Sequence, residues 1–529
     1  MLQPEETTSL RSARHSVVIT SCLAIAAVIG VGLTLYATRL GVDVSGDSVV
    51  YLEAARNVMA GRGLVLIAPD GSSTPLIVFP PLYPLVLAAG GAAGRLVRLS
   101  VDPTVVARYL NCAALIASLL FVALLMRRTT RLFWPIILAL LLCVTSRPLM
   151  FGYTRLLSEA PFVVCCLAAT YFLAWHLEAR NRWLLVAASV AVACASLTRY
   201  AGVCLAFTGV CALALTPGTS LRTKSLDAVI FLFVLIAAME AWALHNGAPT
   251  RPYGGRTLSL HPPPVGKLVE GARALGEWIG AREVPATPWL GFGLALALVC
   301  TPLFHRTAIT LVCSLFVVSY VGFVLVSLTF FDAAIPLNSR IWMPLVPPLA
   351  ILFAALLALF PPGRLERLSV FIPVVLLLLL NSWLTLKFAR SLHDNGQGYL
   401  SRLWRNSALV ATVNKLPKNT PIASNAQDAL YVLTGRRAYG LPMSRFRTIA
   451  QDNPHLRQDL VDLSKKLRRR GVIAYSTKIK RGDFLPSENR IAKFLELEKI
   501  ADVSDGRVYR VKGARKGGTG AATAPLEQP

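Results

Sequence analysis

"GDSVVYLEAARNVMAGRG" occupies residues 46–63, and "FPPLYP" follows at 79–84. The first is a short charged segment set directly after the apolar run 16–38. Within it Tyr51, Ala54, Ala55, Val58 and Met59 recur at helical spacing, with Glu53, Arg56 and Asn57 on the other side. That pattern predicts an amphipathic helix lying in the membrane interface. Asp47 stands at its start and Gly61 just past its end. Asp47 suits an N-cap, accepting from the free amides of the first turn, and Gly61 a C-terminal stop. One carboxylate oxygen can cap while the other faces a cleft, so a cap and a chemical role are compatible.

The composition explains why such a segment is conspicuous. The chain is 529 residues long, 54% hydrophobic and 16% charged, with a mean hydropathy of +0.56. Soluble domains carry about 25% charged residues, so this is the composition of a membrane protein. A bilayer needs roughly 20 apolar residues per helix. Apolar runs at 16–38, 104–126, 132–148, 159–177, 183–198, 200–216, 226–245, 288–304, 307–330, 343–360 and 368–388 approach that length.

Charge in the short loops sets the topology, because Lys and Arg are retained on the cytoplasmic side. If the additional stretch 80–97 does not cross, "RRTTR" (127–131), "EARNR" (178–182), "LRTK" (221–224), "HR" (305–306) and "PPGRLER" (361–367) all fall inside. The expectation is eleven spans in a cell membrane, with N-terminus in and C-terminus out. Segments 39–103, 149–158, 246–287, 331–342 and everything after 389 then lie outside. Nearly all the polar sequence is on one face, and the chemistry is expected there.

The expected organisation is a cytoplasmic tail (1–15), a transmembrane domain (16–388) with first outer loop 39–103, an extracytoplasmic α/β domain (389–511) and a disordered tail (512–529). From 389 onward there are 26 Lys+Arg against 12 Asp+Glu. "TPIASN" (420–425), "GVIAYST" (471–477) and "DGRVYRV" (505–511) read as strands. "DLVDLSKKLRRR" (459–470) and "ENRIAKFLELEKI" (488–500) read as helices. The net charge of +26 does not imply nucleic acid, since the basic domain faces outward. All ten cysteines lie in apolar runs, which excludes a disulfide framework and a spaced thiolate metal site. No glycine-rich phosphate loop is present.

The anchor, the Asp-x-x-x-Tyr segment, "FPPLYPLVLAAGGAAG" (79–94) and "VARYLNCAALIASLLFVALLMRR" (106–128) together resemble the GT-C superfamily of integral membrane glycosyltransferases. The similarity is greatest to the branch with protein O-mannosyltransferases, lipid A aminoarabinose transferases and rhizobial lipopolysaccharide-core glycosyltransferases. The resemblance implies a polyprenyl phosphate sugar donor, a hydroxyl acceptor and transfer at the outer face. It also implies that Asp47, placed before Tyr51, is the base on the acceptor hydroxyl, with Asp43 the fallback. A second acid maps onto Glu159 in "YTRLLSEAPF" (153–162), where a helix-start residue favoured by the macrodipole is the plainer reading. Some relatives have an acidic metal ligand just before the first-loop proline pair. Phe79 stands there, which puts dependence on a divalent metal in question.

A departing lipid phosphate calls for cations, preferably arginine for its paired donors. Arg199 in "LTRYAG" (197–202) and Arg340 in "NSRIWMPLVPP" (338–348) sit at outer ends of spans; Arg155 and Arg256 are weaker candidates. Cations at helix ends also snorkel to headgroups without further purpose. His261 in "SLHPPP" (259–264) is a lone loop histidine with a possible ligand role only by resemblance. "NAQDALYVLTGRRAYGLP" (425–442) resembles a recurring element of soluble domains in bacterial relatives, expected to cover the site or bind acceptor. Two other classes compete: a transporter or flippase for lipid-linked sugars, and a non-catalytic lipid- or glycan-binding accessory protein. Coupled transport usually places ionisable residues at mid-membrane, whereas here Asp227 and Glu240 lie near the ends of their run.

Overall fold

The computed structural model describes residues 4–96, 101–246, 258–280, 283–359, 364–449, 451–467, 470–479 and 484–514. The chain divides into two compact units, one of Met1–Leu66 with Pro75–Ser401, the other of Ile67–Thr74 with Arg402–Pro529.

The first unit is helical. Among the described residues seven helices are long and apolar enough to cross a membrane: Ser16–Ala37, Pro103–Thr129, Glu159–Ala179, Leu221–His245, Ala308–Phe330, Ser339–Leu357 and Phe371–Asn395. The run expected at 132–148 is broken: helices Phe133–Val144 and Arg147–Tyr153 meet at 58°. Thr145 ends the first and Ser146 caps the second, accepting from the Leu149 amide, with Pro148 in its first turn. Counting that pair as one span gives eight. Four apolar helices among the described residues are shorter than these: Leu82–Leu96, Arg182–Thr198, Tyr200–Leu215 and Thr287–Leu298.

Small residues let these helices approach closely. Gly276 and Gly291 face one another so tightly that a Cβ on Gly276 would lie 1.6 Å from the Pro288 carbonyl oxygen. The Trp278 indole donates to the Gly291 carbonyl at 2.9 Å, which joins the two neighbouring helices.

Each end of the bundle gathers its own loops. At one end Arg128 pairs with Glu178, Arg180 donates to the Pro217 carbonyl, and Arg182 and His176 both approach Asp227. At the other, residues 43–44 form isolated bridges with Arg155 and Gly398. There too Tyr200 donates to the Ile77 carbonyl, His261 N–H to Thr329 and Lys267 to Ala333.

The first-loop helix runs from Asp47 to Met59, and seven of its thirteen residues are buried. Protein covers this face, where a helix floating in the interface was expected: Tyr51 packs edge-on against Tyr83 from the helix Leu82–Leu96. Asn57, placed by spacing on the polar side, is buried. Its side chain donates to the Val65 carbonyl and accepts from Arg62. Arg56 pairs with Asp102 at 2.7 Å, and Asp102 also caps the helix Pro103–Thr129 through the Thr104 amide. One carboxylate thus starts a spanning helix and holds the end of the first-loop helix.

The second unit contains a five-stranded mixed sheet in the order Tyr439–Gly440, Ile422–Ser424, Val472–Ser476, Gly506–Ala514, Leu495–Val503. The first three are parallel and the last two antiparallel to their neighbours. The helix Leu456–Leu467 lays Leu456, Leu460, Leu463 and Leu467 onto one cluster with Ile473 and Val511. The segment 488–500, expected to be all helix, is helix only over Glu488–Phe494. From Leu495 it pairs with Gly506–Ala514 as a strand. The last long helix continues to Asn395, beyond the expected boundary at 389. The final strand reaches Ala514, inside the segment expected as disordered tail; 515–529 lie outside the described residues.

Candidate functional site

Asp47 is the first residue of its helix, and Gly46 (φ +44°) takes the cap position with no side-chain cap. The Asp47 carboxylate is thereby free to turn elsewhere. It meets Arg340, whose Nη2 lies 2.8 Å from Asp47 Oδ2. Arg340 is in the short helix Ser339–Trp342, whose cap, Asn338, accepts from the Arg340 amide at 3.1 Å. The preceding residue, Ser339, donates its hydroxyl to Glu277.

Glu159 is the innermost member of the cluster, its side chain 1% exposed. Its Oε1 receives both Arg340 Nε and Arg199 Nη1, the latter at 2.8 Å. Burying a carboxylate is costly unless cations and hydrogen bonds surround it, and here two arginines share one oxygen. Oε2 is buried without a hydrogen-bond partner. Ser158, just before it, makes no side-chain cap. Its hydroxyl instead accepts from Arg199 Nη1 at 3.2 Å and lies 3.1 Å from the Tyr51 hydroxyl. Burial pushes the Tyr51 phenol above its ordinary range, against the nearby Arg199 cation. Tyr51 is therefore a neutral hydroxyl holding Ser158.

Asp43 and Arg155 form a second pair beside the first, with Arg155 Nε 2.9 Å from Asp43 Oδ2. The Asp43 amide donates to Thr154 and its carbonyl accepts from Leu156, both at 2.9 Å. From the other side Asn111 donates to the carbonyls of Tyr153 and Arg155. The loop leading into Ser158–Glu159 is clamped between them. Burial raises the Asp43 carboxyl, with the Arg155 guanidinium opposing. Gly398 (φ +61°) closes over this pair: a Cβ there would sit 2.0 Å from Asp43 Oδ1.

Asp47, Glu159, Arg199 and Arg340, four residues singled out from sequence, thus form one connected cluster, with Tyr51 joined through Ser158. Asp43 and Arg155 are adjacent to it. His261 is not joined to the cluster by any hydrogen bond or ion pair among the described residues; both its ring nitrogens are buried without a partner. Arg256 lies outside the described residues. Ser158, Glu277 and Asn338 escaped the sequence reading, since a lone serine, glutamate or asparagine in a loop carries no pattern.

Phe79, standing where some relatives have an acid, packs its ring 4.7 Å from that of Tyr51. Among the described residues no three His, Cys, Asp or Glu side chains gather as a metal site. The arrangement is a charge-balanced set of three acids and three arginines. It can hold an anion and place a carboxylate beside it.

No protein-family model matches the sequence, and no curated protein matches it significantly. Solved structures do resemble it. ArnT from Cupriavidus metallidurans, bound to undecaprenyl phosphate, matches with a TM-score of 0.61 at 14% identity, over 93% of this chain and 98% of that one. The oligosaccharyltransferase AglB from Archaeoglobus fulgidus, in complex with an inhibitory peptide and a dolichol-phosphate, gives 0.52 at 12%, over 87% and 69%. The arabinofuranosyltransferase AftD from Mycobacteria gives 0.52 at 15%, over 93% of this chain but 41% of its own length. These are GT-C superfamily membrane glycosyltransferases; such identities speak to architecture, and the chain has the GT-C fold.

Proposed function

We propose that this multi-pass membrane protein is a glycosyltransferase that moves a sugar from a polyprenyl phosphate donor to a hydroxyl acceptor at the outer face of the membrane. The observation that carries the reading is the junction at Arg340, where one guanidinium joins Asp47 and Glu159 with Arg199 behind them. A lipid-phosphate transferase needs this combination: cations for the leaving phosphate and an accessible carboxylate for the nucleophile. ArnT bound to undecaprenyl phosphate and AglB in complex with a dolichol-phosphate support a lipid phosphate as the leaving group here.

In the proposed step Asp47 takes the proton of the acceptor hydroxyl. The hydroxyl oxygen forms a bond to the anomeric carbon as the bond from that carbon to the phosphate oxygen breaks. The bonding pair leaves with polyprenyl phosphate, held between Arg199 and Arg340, and the anomeric configuration inverts. Phosphate is a good leaving group, so the protein supplies mainly position and charge. Glu159 keeps the two arginines in place and is not itself the base, since it is buried between them.

The topology proposed with this reading has eleven crossings: the seven long helices, the bent pair, and Arg182–Thr198, Tyr200–Leu215 and Thr287–Leu298. The cluster then lies at the outer mouth. The second unit is proposed as an extracytoplasmic α/β domain. Protein purified in detergent, given labelled polyprenyl phosphate sugars and envelope acceptors, is expected to release free polyprenyl phosphate with each transfer. Movement of intact lipid-linked sugar across a vesicle without such release would favour a flippase instead.

A further inference from the structure

We infer that the donor enters by counter-ion exchange: its phosphate displaces Asp47 from Arg340, and that displacement frees the carboxylate to act as base. The inference rests on the transferase reading above and adds an order of events to it.

The charges at the junction are already matched. Arg199 and Arg340 face Glu159 and Asp47, and Arg155 beside them faces Asp43. A donor phosphodiester brings one further negative charge to a set with no net positive charge to receive it. Binding by simple addition would place that anion beside Asp47, with the shared cation already occupied. One acid has to give way.

The structure distinguishes the two acids. Glu159 is 1% exposed and is held by both arginines, whereas Asp47 is 41% exposed and, among the described residues, is paired through Oδ2 with Arg340 alone. An anion arriving from the accessible side competes with Asp47 and leaves Glu159 in place. Asp47, 41% exposed on a guanidinium that is 19% exposed, is the more solvent-screened and so the more weakly held of the two acids, and the planar guanidinium matches a phosphate with paired donors. As the sugar–phosphate bond breaks, the departing group goes from one negative charge towards two. Arg340 is needed most fully at that moment, when Asp47 has left it.

The exchange has a consequence for order. While Arg340 holds Asp47, the Oδ2 atom is occupied by the guanidinium and is not offered to an acceptor hydroxyl. Arrival of the donor removes that cation from Asp47. Activation of the acceptor hydroxyl therefore follows donor binding and is not available in the empty site.

The test is equilibrium binding of undecaprenyl phosphate to the full-length protein in detergent, for wild type, Asp47→Asn, Asp47→Ala and Arg340→Gln. Removing the competing carboxylate is expected to tighten binding about tenfold in both Asp47 variants. Arg340→Gln is expected to weaken it by a similar factor or more. Asp47 variants that bind no tighter than wild type, with Arg340→Gln weakened, overturn the exchange and leave the transferase reading standing. Unchanged binding in Arg340→Gln removes Arg340 from the phosphate site and overturns both. Asp47 is substituted in two ways so that a packing effect of one replacement is told apart from loss of charge.

Discussion

Arg340 donates to Asp47 at 2.8 Å although 293 residues separate them in the chain. The same side chain also donates to Glu159, so one guanidinium ties the first loop, the start of a buried helix and the end of a late span. This needs a flat, forked donor. Arg340→Lys, a point charge on a flexible stem, is expected to lose turnover nearly as fully as Arg340→Gln. The loss is at least about a hundredfold, the scale of removing a charge-stabilising donor. Initial rates of polyprenyl phosphate release at saturating donor measure it; a lysine variant with wild-type rates would show that the fork is unnecessary.

Glu159 and Asp47 are expected to separate stability from turnover. Glu159→Gln leaves Arg199 and Arg340 facing each other in a buried place, and breaking such a network costs about 3–5 kcal/mol. Asp47→Asn removes a half-exposed charge and costs less than about 1 kcal/mol. Melting temperatures in one detergent should fall clearly for the first and barely for the second. The reverse order would contradict the burial on which the assignment of roles depends.

Gly398 is expected to tolerate no side chain. Its φ of +61° disfavours any L residue, and a Cβ would meet both Asp43 Oδ1 at 2.0 Å and the Val44 carbonyl oxygen at 2.5 Å. Gly398→Ala should destabilise by about 1–3 kcal/mol and loosen the Asp43–Arg155 clamp. Thermal melting together with proteolysis of the segment 154–158 would read both effects. A variant with wild-type melting and protection would show that the clamp does not depend on this close approach.

A separate pH effect belongs to the second unit. Asp505 accepts from Ser407, the Leu409 amide and Lys478. Burial opposes its ionisation, but the Lys478 and Ser407 contacts with that amide hold its carboxyl below the usual range. A depressed folded value means stability that is present above the unfolded aspartate value of about 3.9 and lost as pH falls through the folded one. Protection of the Val472–Ser476 amides, taken relative to their intrinsic exchange rates, should therefore fall below about pH 4 in wild type. In Asp505→Asn protection should be lower at neutral pH, with less further loss on acidification. Identical acid profiles for the two would remove Asp505 from the account.

The arginines were legible because charge is rare in this chain: in a sequence only 16% charged, Arg199 and Arg340 stand out at the ends of apolar runs. Asp47 and Glu159 were singled out by the family resemblance, since their local spacing reads as a cap and a helix start. The mutual contacts of the four were not legible, since they come from helices far apart in sequence. Asp47 looked like a cap, and local spacing alone could not show that Gly46 would take that position. Asn57 followed the polar face of its helix in sequence, but packing of later segments buried it. Leu495 and Leu497 suit a strand as well as a helix end, and pairing with Gly506–Ala514 decided between them. Short runs fit both periods, so the sheet and not the segment sets the outcome.

The central claim is that Asp47 is the base of a lipid-phosphate glycosyl transfer. The most direct measurement is a single-turnover assay with polyprenyl phosphate sugar labelled in the lipid, comparing wild type with Asp47→Asn under matched folding. Wild type is expected to release free polyprenyl phosphate, and Asp47→Asn to lose that release with donor still bound. Normal release by the variant would contradict it, leaving Asp47 as a counter-ion of Arg340 and no more.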